Sequence, residues 1–163
     1  MKIFFDVDYT LISDAWPRND GRWGPASLGR NGNGDSDERT HWEASWPRQS
    51  SLRPHVLDVF KKIADEGHEI FIWSGVGERW EVVERHGLKP FIQTCYVKPL
   101  SNYRDLLSAC GVPFVPDLCI DDYPGVVDAF GGTLVKPHYA PDHNDREMLR
   151  VYDEIRKAPS TGP

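Results

Sequence analysis

Asp6 and Asp8 stand one residue apart at the end of the apolar run in Ile3-Phe4-Phe5-Asp6-Val7-Asp8-Tyr9-Thr10-Leu11. Two carboxylates in that position suit Mg2+ and phosphate chemistry, because hard divalent cations take oxygen ligands. An apolar run ending in Asp reads as a buried parallel strand whose C-terminal tip delivers side chains to the crevice where open α/β sheets bind ligands. A turn rich in Asp and Thr would give the same string. Three later runs end in a similar way: Ser74 follows Ile70-Phe71-Ile72-Trp73, Lys98 follows Cys95-Tyr96-Val97, and Asp121-Asp122 follows Leu118-Cys119-Ile120.

Each of these ends carries a group that chemistry on phosphate requires. Ser74 followed by Gly75 offers a hydroxyl and unobstructed backbone N–H groups to phosphate oxygens. Lys98 supplies a fixed positive charge that can neutralise a crowded phosphate and its nucleophile. Asp122 is the expected further carboxylate ligand of the metal, with Asp121 behind it. The two roles can be exchanged, since adjacent strand-end residues point to opposite sides. Taken singly, each residue has an ordinary alternative: a Ser-Gly turn, a solvated lysine, an Asp pair before Pro124.

Together the four segments resemble the four motifs of the haloacid dehalogenase superfamily, most of whose members are magnesium-dependent phosphatases working through an aspartyl-phosphate. Tyr9 in Asp6-Val7-Asp8-Tyr9-Thr10-Leu11 is similar to the magnesium-dependent phosphatase and C-terminal-domain phosphatase branches. The resemblance implies that Asp6 is the nucleophile and also binds metal. An ionised carboxylate needs no proton removed before it attacks. It further implies that Asp8 is the general acid and base, with its backbone carbonyl toward Mg2+. Thr10 is expected to support the Asp8 loop or Asp6, at the edge of the phosphate site. The second acid and the metal ligands favour phosphate over carbon–halogen substrates. Transfer to water is the default; a mutase would need a cap that excludes it. A module that only captures phosphorylated partners is the alternative outside catalysis.

The elements that must position these residues follow from periodicity. Val56, Leu57, Phe60, Ile63 and Ala64 form a helical stripe after Pro54, stopped by Gly67. A second helix is expected over Gly77 to His86, a strand over Phe91 to Val97, a helix from Ser101 or Asn102 to Cys110, and a strand over Asp117 to Ile120. A brief helix near Tyr123 to Gly132, a strand at Thr133 to Val135 and a last helix over Asp145 to Lys157 complete the pattern. Strands alternating with helices predict a Rossmann-like three-layer α/β sandwich around a parallel five-stranded sheet.

Residues 1–157 are expected to form one domain, interrupted by an irregular insertion over 12–52 that is crowded with Gly, Pro, Asn, Asp and Arg, and followed by a frayed tail at 158–163. Loops of that length are lids or disordered, and Trp16, Trp23, Trp42 and Trp46 favour order at the ends. Those aromatics, with Arg18, Arg22, Arg30, Arg39 and Arg48, either clamp a substrate or pack the loop down. A net charge of −6 on 163 residues, with both signs mixed, excludes general affinity for nucleic acid or anionic membrane. The expected partner is a small phosphorylated molecule or a local phosphosite. Cys95, Cys110 and Cys119 lack zinc or redox spacing and read as free thiols, and no run reaches membrane-spanning length, so a cytoplasmic location is expected. The six histidines show no metal or triad spacing and are expected mostly at the surface.

Overall fold

The computed structural model describes residues 1–13, 15–17, 23–25 and 50–159. Its centre is a parallel five-stranded sheet built from β1 (Lys2–Phe5), β6 (Glu69–Ser74), β7 (Ile92–Val97), β8 (Leu118–Asp121) and β9 (Gly132–Leu134), in the order β7-β6-β1-β8-β9. The chain is an α/β Rossmann-like three-layer sandwich, as its alternating pattern predicts. Between these strands lie α1 (Val56–Asp65), α2 (Trp80–Arg85) and α3 (Pro124–Phe130), and α4 (Glu147–Lys157) follows β9.

Alternation along the strands divides the core in two. Ile3, Phe5, Ile70, Ile72 and Ile120 face one side, against Val59, Phe60 and Ile63 of α1, Val82 and Val83 of α2, and Val151 and Ile155 of α4. Phe4, Phe71, Trp73 and Cys119 face the other, against Val126 and Phe130 of α3 and Leu107 and Val112. A strand buried on both faces must be apolar at every position, which is why β1, β6 and β8 read as continuous hydrophobic runs. Gly132 lets β9 close against β8: it has φ +132°, and a Cβ there would lie 2.0 Å from the Cys119 carbonyl oxygen.

Several expectations are corrected. The stretch from Asn102 to Cys110 is a series of turns, not a helix: Asn102 takes φ +50°, and only Leu107 is buried on it, too narrow an apolar face to hold a helix down. Pro54 lies before α1, which begins at Val56 after His55 turns left-handed at φ +68°. The helix expected from Gly77 is confined to Trp80–Arg85, since Gly77 at φ +145° and Arg79 at φ +45° keep the intervening backbone out of the helical region. The last strand and helix begin one residue earlier and two later than expected, at Gly132 and Glu147.

The insertion is not irregular throughout. It leaves and re-enters through an antiparallel pair, β2 (Ile12–Ser13) with β5 (Ser51–Leu52), and β3 (Ala15–Pro17) pairs with β4 (Trp23–Pro25). Its remainder, including Arg18, Arg22, Gly29 to Asp35, Arg39, Trp42, Trp46 and Arg48, lies outside the described residues, as does the tail from Ser160. Among the described residues no helix is long and apolar enough to cross a membrane.

Candidate active site

Parallel strands point their C-terminal ends the same way, so the groups that follow β1, β6, β7 and β8 meet above one edge of the sheet. Asp6 follows β1 directly, and its amide donates to the Ile120 carbonyl at 2.9 Å. Ser74 and Asp121 close β6 and β8, and Lys98 comes one residue after β7. Because β1 lies between β6 and β8, Asp6 has Ser74 on one side and Asp121 on the other.

Asp6, Asp121 and Asp122 each place a carboxylate oxygen within 4.8 Å of the others. Lys98 Nζ donates to Asp6 Oδ1 at 2.6 Å and to Asp121 Oδ2 at 2.8 Å, so one ammonium bridges two buried carboxylates. Burial pushes Asp6 up to about 7 against the pull of Lys98, with Asp121 and Asp122 adding to the rise. Asp122, half-buried, is also raised, by burial and then by Asp121. Burial alone would lower the Lys98 ammonium, yet the charges of Asp6 and Asp121 outweigh it and raise it. Asp121 is completely buried, and its Oδ1 accepts from the Tyr123 amide at 2.9 Å, which fixes the carboxylate over the site.

The Asp8 carboxylate has partners of its own. It accepts from Arg79 Nη1 at 2.6 and 2.8 Å through its two oxygens, and from Ser74 Oγ at 3.0 Å. Ser74 Oγ in turn accepts from the Val76 amide at 3.2 Å. Arg79 is buried, and its Nε donates to Glu81 Oε1 at 2.8 Å, which orients the guanidinium plane toward Asp8. The loop between Asp6 and Ile12 is a tight turn in which Tyr9 has φ +63°. Thr10 is not brought to the site by its side chain: it is fully buried, and its hydroxyl finds no hydrogen-bond partner among the described residues. Its carbonyl accepts from Arg53 Nη1 at 3.0 Å instead, so Thr10 supports the loop through its backbone. Gly75 packs under Leu100, where an added Cβ would meet Leu100 Cδ2 at 3.3 Å.

Three contributors were missed in the sequence. Arg79 sits in a loop with no apolar run before it. Arg53, 2% exposed, donates to the Thr10 carbonyl, to the Lys136 carbonyl at 2.7 Å and to Asp145 Oδ2 at 3.0 Å. His138 is buried rather than superficial. Its Nδ1 lies 3.2 Å from Asp145 Oδ2, and its amide donates to the Tyr9 carbonyl at 2.7 Å. A Pro-rich segment after a strand gives no signal of such burial, whereas an Arg directly before a helical stripe could have suggested a tie to a neighbouring loop.

The residues fit a hard divalent cation. The clustered donors are all carboxylate oxygens, and their mutual repulsion already draws an ammonium between two of them. Arrangements of this kind can hold a metal-bound phosphate beside a nucleophilic carboxylate, with a second carboxylate a few ångströms off for proton transfer. Comparison with protein-family models and with curated proteins gives no match to the chain.

Proposed function

We propose that the protein is a magnesium-dependent phosphomonoester hydrolase of the haloacid dehalogenase type, acting through an aspartyl-phosphate on Asp6. The observation that supports this most is the convergence of Asp6, Asp121, Asp122 and Lys98 above the sheet, with Asp8 held separately by Arg79 and Ser74.

Asp6 donates an electron pair to phosphorus, and the P–O bond to the leaving group breaks as the acyl phosphate forms. Asp8 gives its proton to the leaving oxygen, then takes one from the water that attacks phosphorus, so that Asp6 and inorganic phosphate are released. Lys98 offsets the negative charge gathered at the nucleophile and the transferring group. Asp6, Asp121 and Asp122 would hold Mg2+, which when bound lowers the repulsion between their carboxylates and the incoming phosphate. Arg79 and Ser74 hold the Asp8 carboxylate in place for both half-reactions.

A net charge of −6 supports a small phosphorylated molecule over nucleic acid as substrate. Three free cysteines support a reducing, cytoplasmic setting. The test is release of inorganic phosphate from a panel of phosphomonoesters with Mg2+. Turnover is expected, and both a chelator and Asp6→Asn should abolish it. Binding without phosphate release on every substrate would instead favour a module that only captures phosphorylated partners.

A further inference from the structure

We infer that Val76, Leu100, Tyr103 and Tyr123 form a subsite for a planar, apolar leaving group, so that the preferred substrates are aryl phosphomonoesters. This deepens the phosphatase reading and rests on it. Leu100 is 84% exposed, Val76 65% and Tyr123 57%, high for large apolar side chains that follow closely on Ser74, Lys98 and Asp121 in the chain.

Contacts link Leu100, Tyr103 and Tyr123 into one arc, and the Val76 amide is bonded to Ser74 beside it. Leu100 covers Gly75, the residue after Ser74. The Tyr103 hydroxyl donates to the Leu100 carbonyl at 3.3 Å. Tyr103 and Tyr123 both lean over Gly125, where an added Cβ would lie 3.6 Å from one ring and 2.8 Å from the other. The Tyr123 amide is bonded to Asp121, which closes the arc onto the carboxylate cluster. Tyr103 also feels the charges of Asp121 and Lys98.

Position selects the occupant. In-line attack by Asp6 sends the leaving oxygen away from the nucleophile, and that oxygen must come within hydrogen-bond reach of Asp8 to receive its proton. Asp8 is joined to Ser74, and Ser74 to the Val76 amide, so the first carbon of the leaving group emerges beside Val76 and Leu100. Aliphatic surface followed by two tyrosine rings offers a flat group contact and edge or offset stacking. Among the described residues of this arc, a polyhydroxylated leaving group would find few partners for its hydroxyls.

The test uses the full chain with Mg2+ and two non-hydrolysable probes, phenylphosphonate and methylphosphonate, titrated by calorimetry. Phenylphosphonate is expected to bind about tenfold more tightly, and Leu100→Ser to bring that ratio to about two or less. Leu57→Ser, which removes an exposed apolar side chain from α1, should keep the parent's ratio. A parental ratio near one, a ratio that Leu100→Ser leaves intact, or no binding of either probe would overturn the subsite. Phosphate release from the ester panel is scored separately. Turnover without an aryl preference sinks the subsite alone, and aryl binding without turnover sinks the hydrolase reading alone. Comparing phenyl phosphate with a phosphotyrosyl peptide then tells a free metabolite from a protein phosphosite as the source of the ring.

Discussion

The fold acts strongly on the charge of Asp6. Its carboxyl group ionises near 3.8 in a free chain and is pushed up to about 7 by burial. The folded state therefore keeps a proton that the unfolded chain has released. The stability this group contributes is complete below its unfolded value and is lost as pH rises through 7. Asp6→Asn cannot ionise, so without metal it should exceed the parent's stability by about 4 kcal/mol near pH 8 and lose that advantage near pH 4. Urea unfolding at both pH values checks this, and a gap that does not change with pH would contradict it. Arg79 acts on the other carboxylate. If the proposed chemistry holds, Arg79→Gln should lower kcat by roughly 100-fold on substrates with poor leaving groups, since Asp8 loses the contact that aims it. Steady-state kinetics on alkyl phosphates measures it, and an unchanged kcat would make the pair merely structural.

At the level of elements, the strand tips explain what could be read in advance. Asp6, Ser74, Lys98 and Asp121 each end or follow an apolar run, and a run buried on both faces leaves a mark that needs no knowledge of its neighbours. Arg79 and Arg53 leave none, because their value comes from partners 71 and 43 residues away in the chain. The Asn102 to Cys110 turns were misread for a related reason. Their capping residues and Leu106-Leu107 mimic a helix, but Leu106 stays exposed and only Leu107 reaches the core. The insertion's neck, two residues on each side, is too short for alternation to show. Arg53 locks several of these pieces at once, joining the loop after β1, the segment after β9 and the approach to α4. Arg53→Lys keeps the charge but loses the fork that serves three acceptors, and is expected to cost about 3 kcal/mol in a urea titration. A loss under ~1 kcal/mol would show that the guanidinium's geometry is dispensable.

For the molecule as a whole, the crowding of carboxylates at one edge makes the empty site costly and the loaded one rewarding. Saturating Mg2+ at neutral pH is expected to raise the melting temperature by several degrees, about 2.7 kcal/mol at a concentration of 100 Kd. Asp6→Asn should blunt the rise. Differential scanning fluorimetry with and without chelator reads both, and a melting temperature indifferent to Mg2+ would count against the metal site. The sheet order carries a further consequence. The central strand pairs Lys2 with Glu69 and Ile3 with Leu118, so its two partners arrive from far along the chain. Large sequence separations slow folding because loop closure precedes any reward. Synthesis supplies Asp6 well before Asp121, which arrives only with the fourth strand of the sheet. During refolding, the appearance of divalent-ion affinity should thus lag behind helix formation, and so act as a clock for the moment β8 docks beside β1.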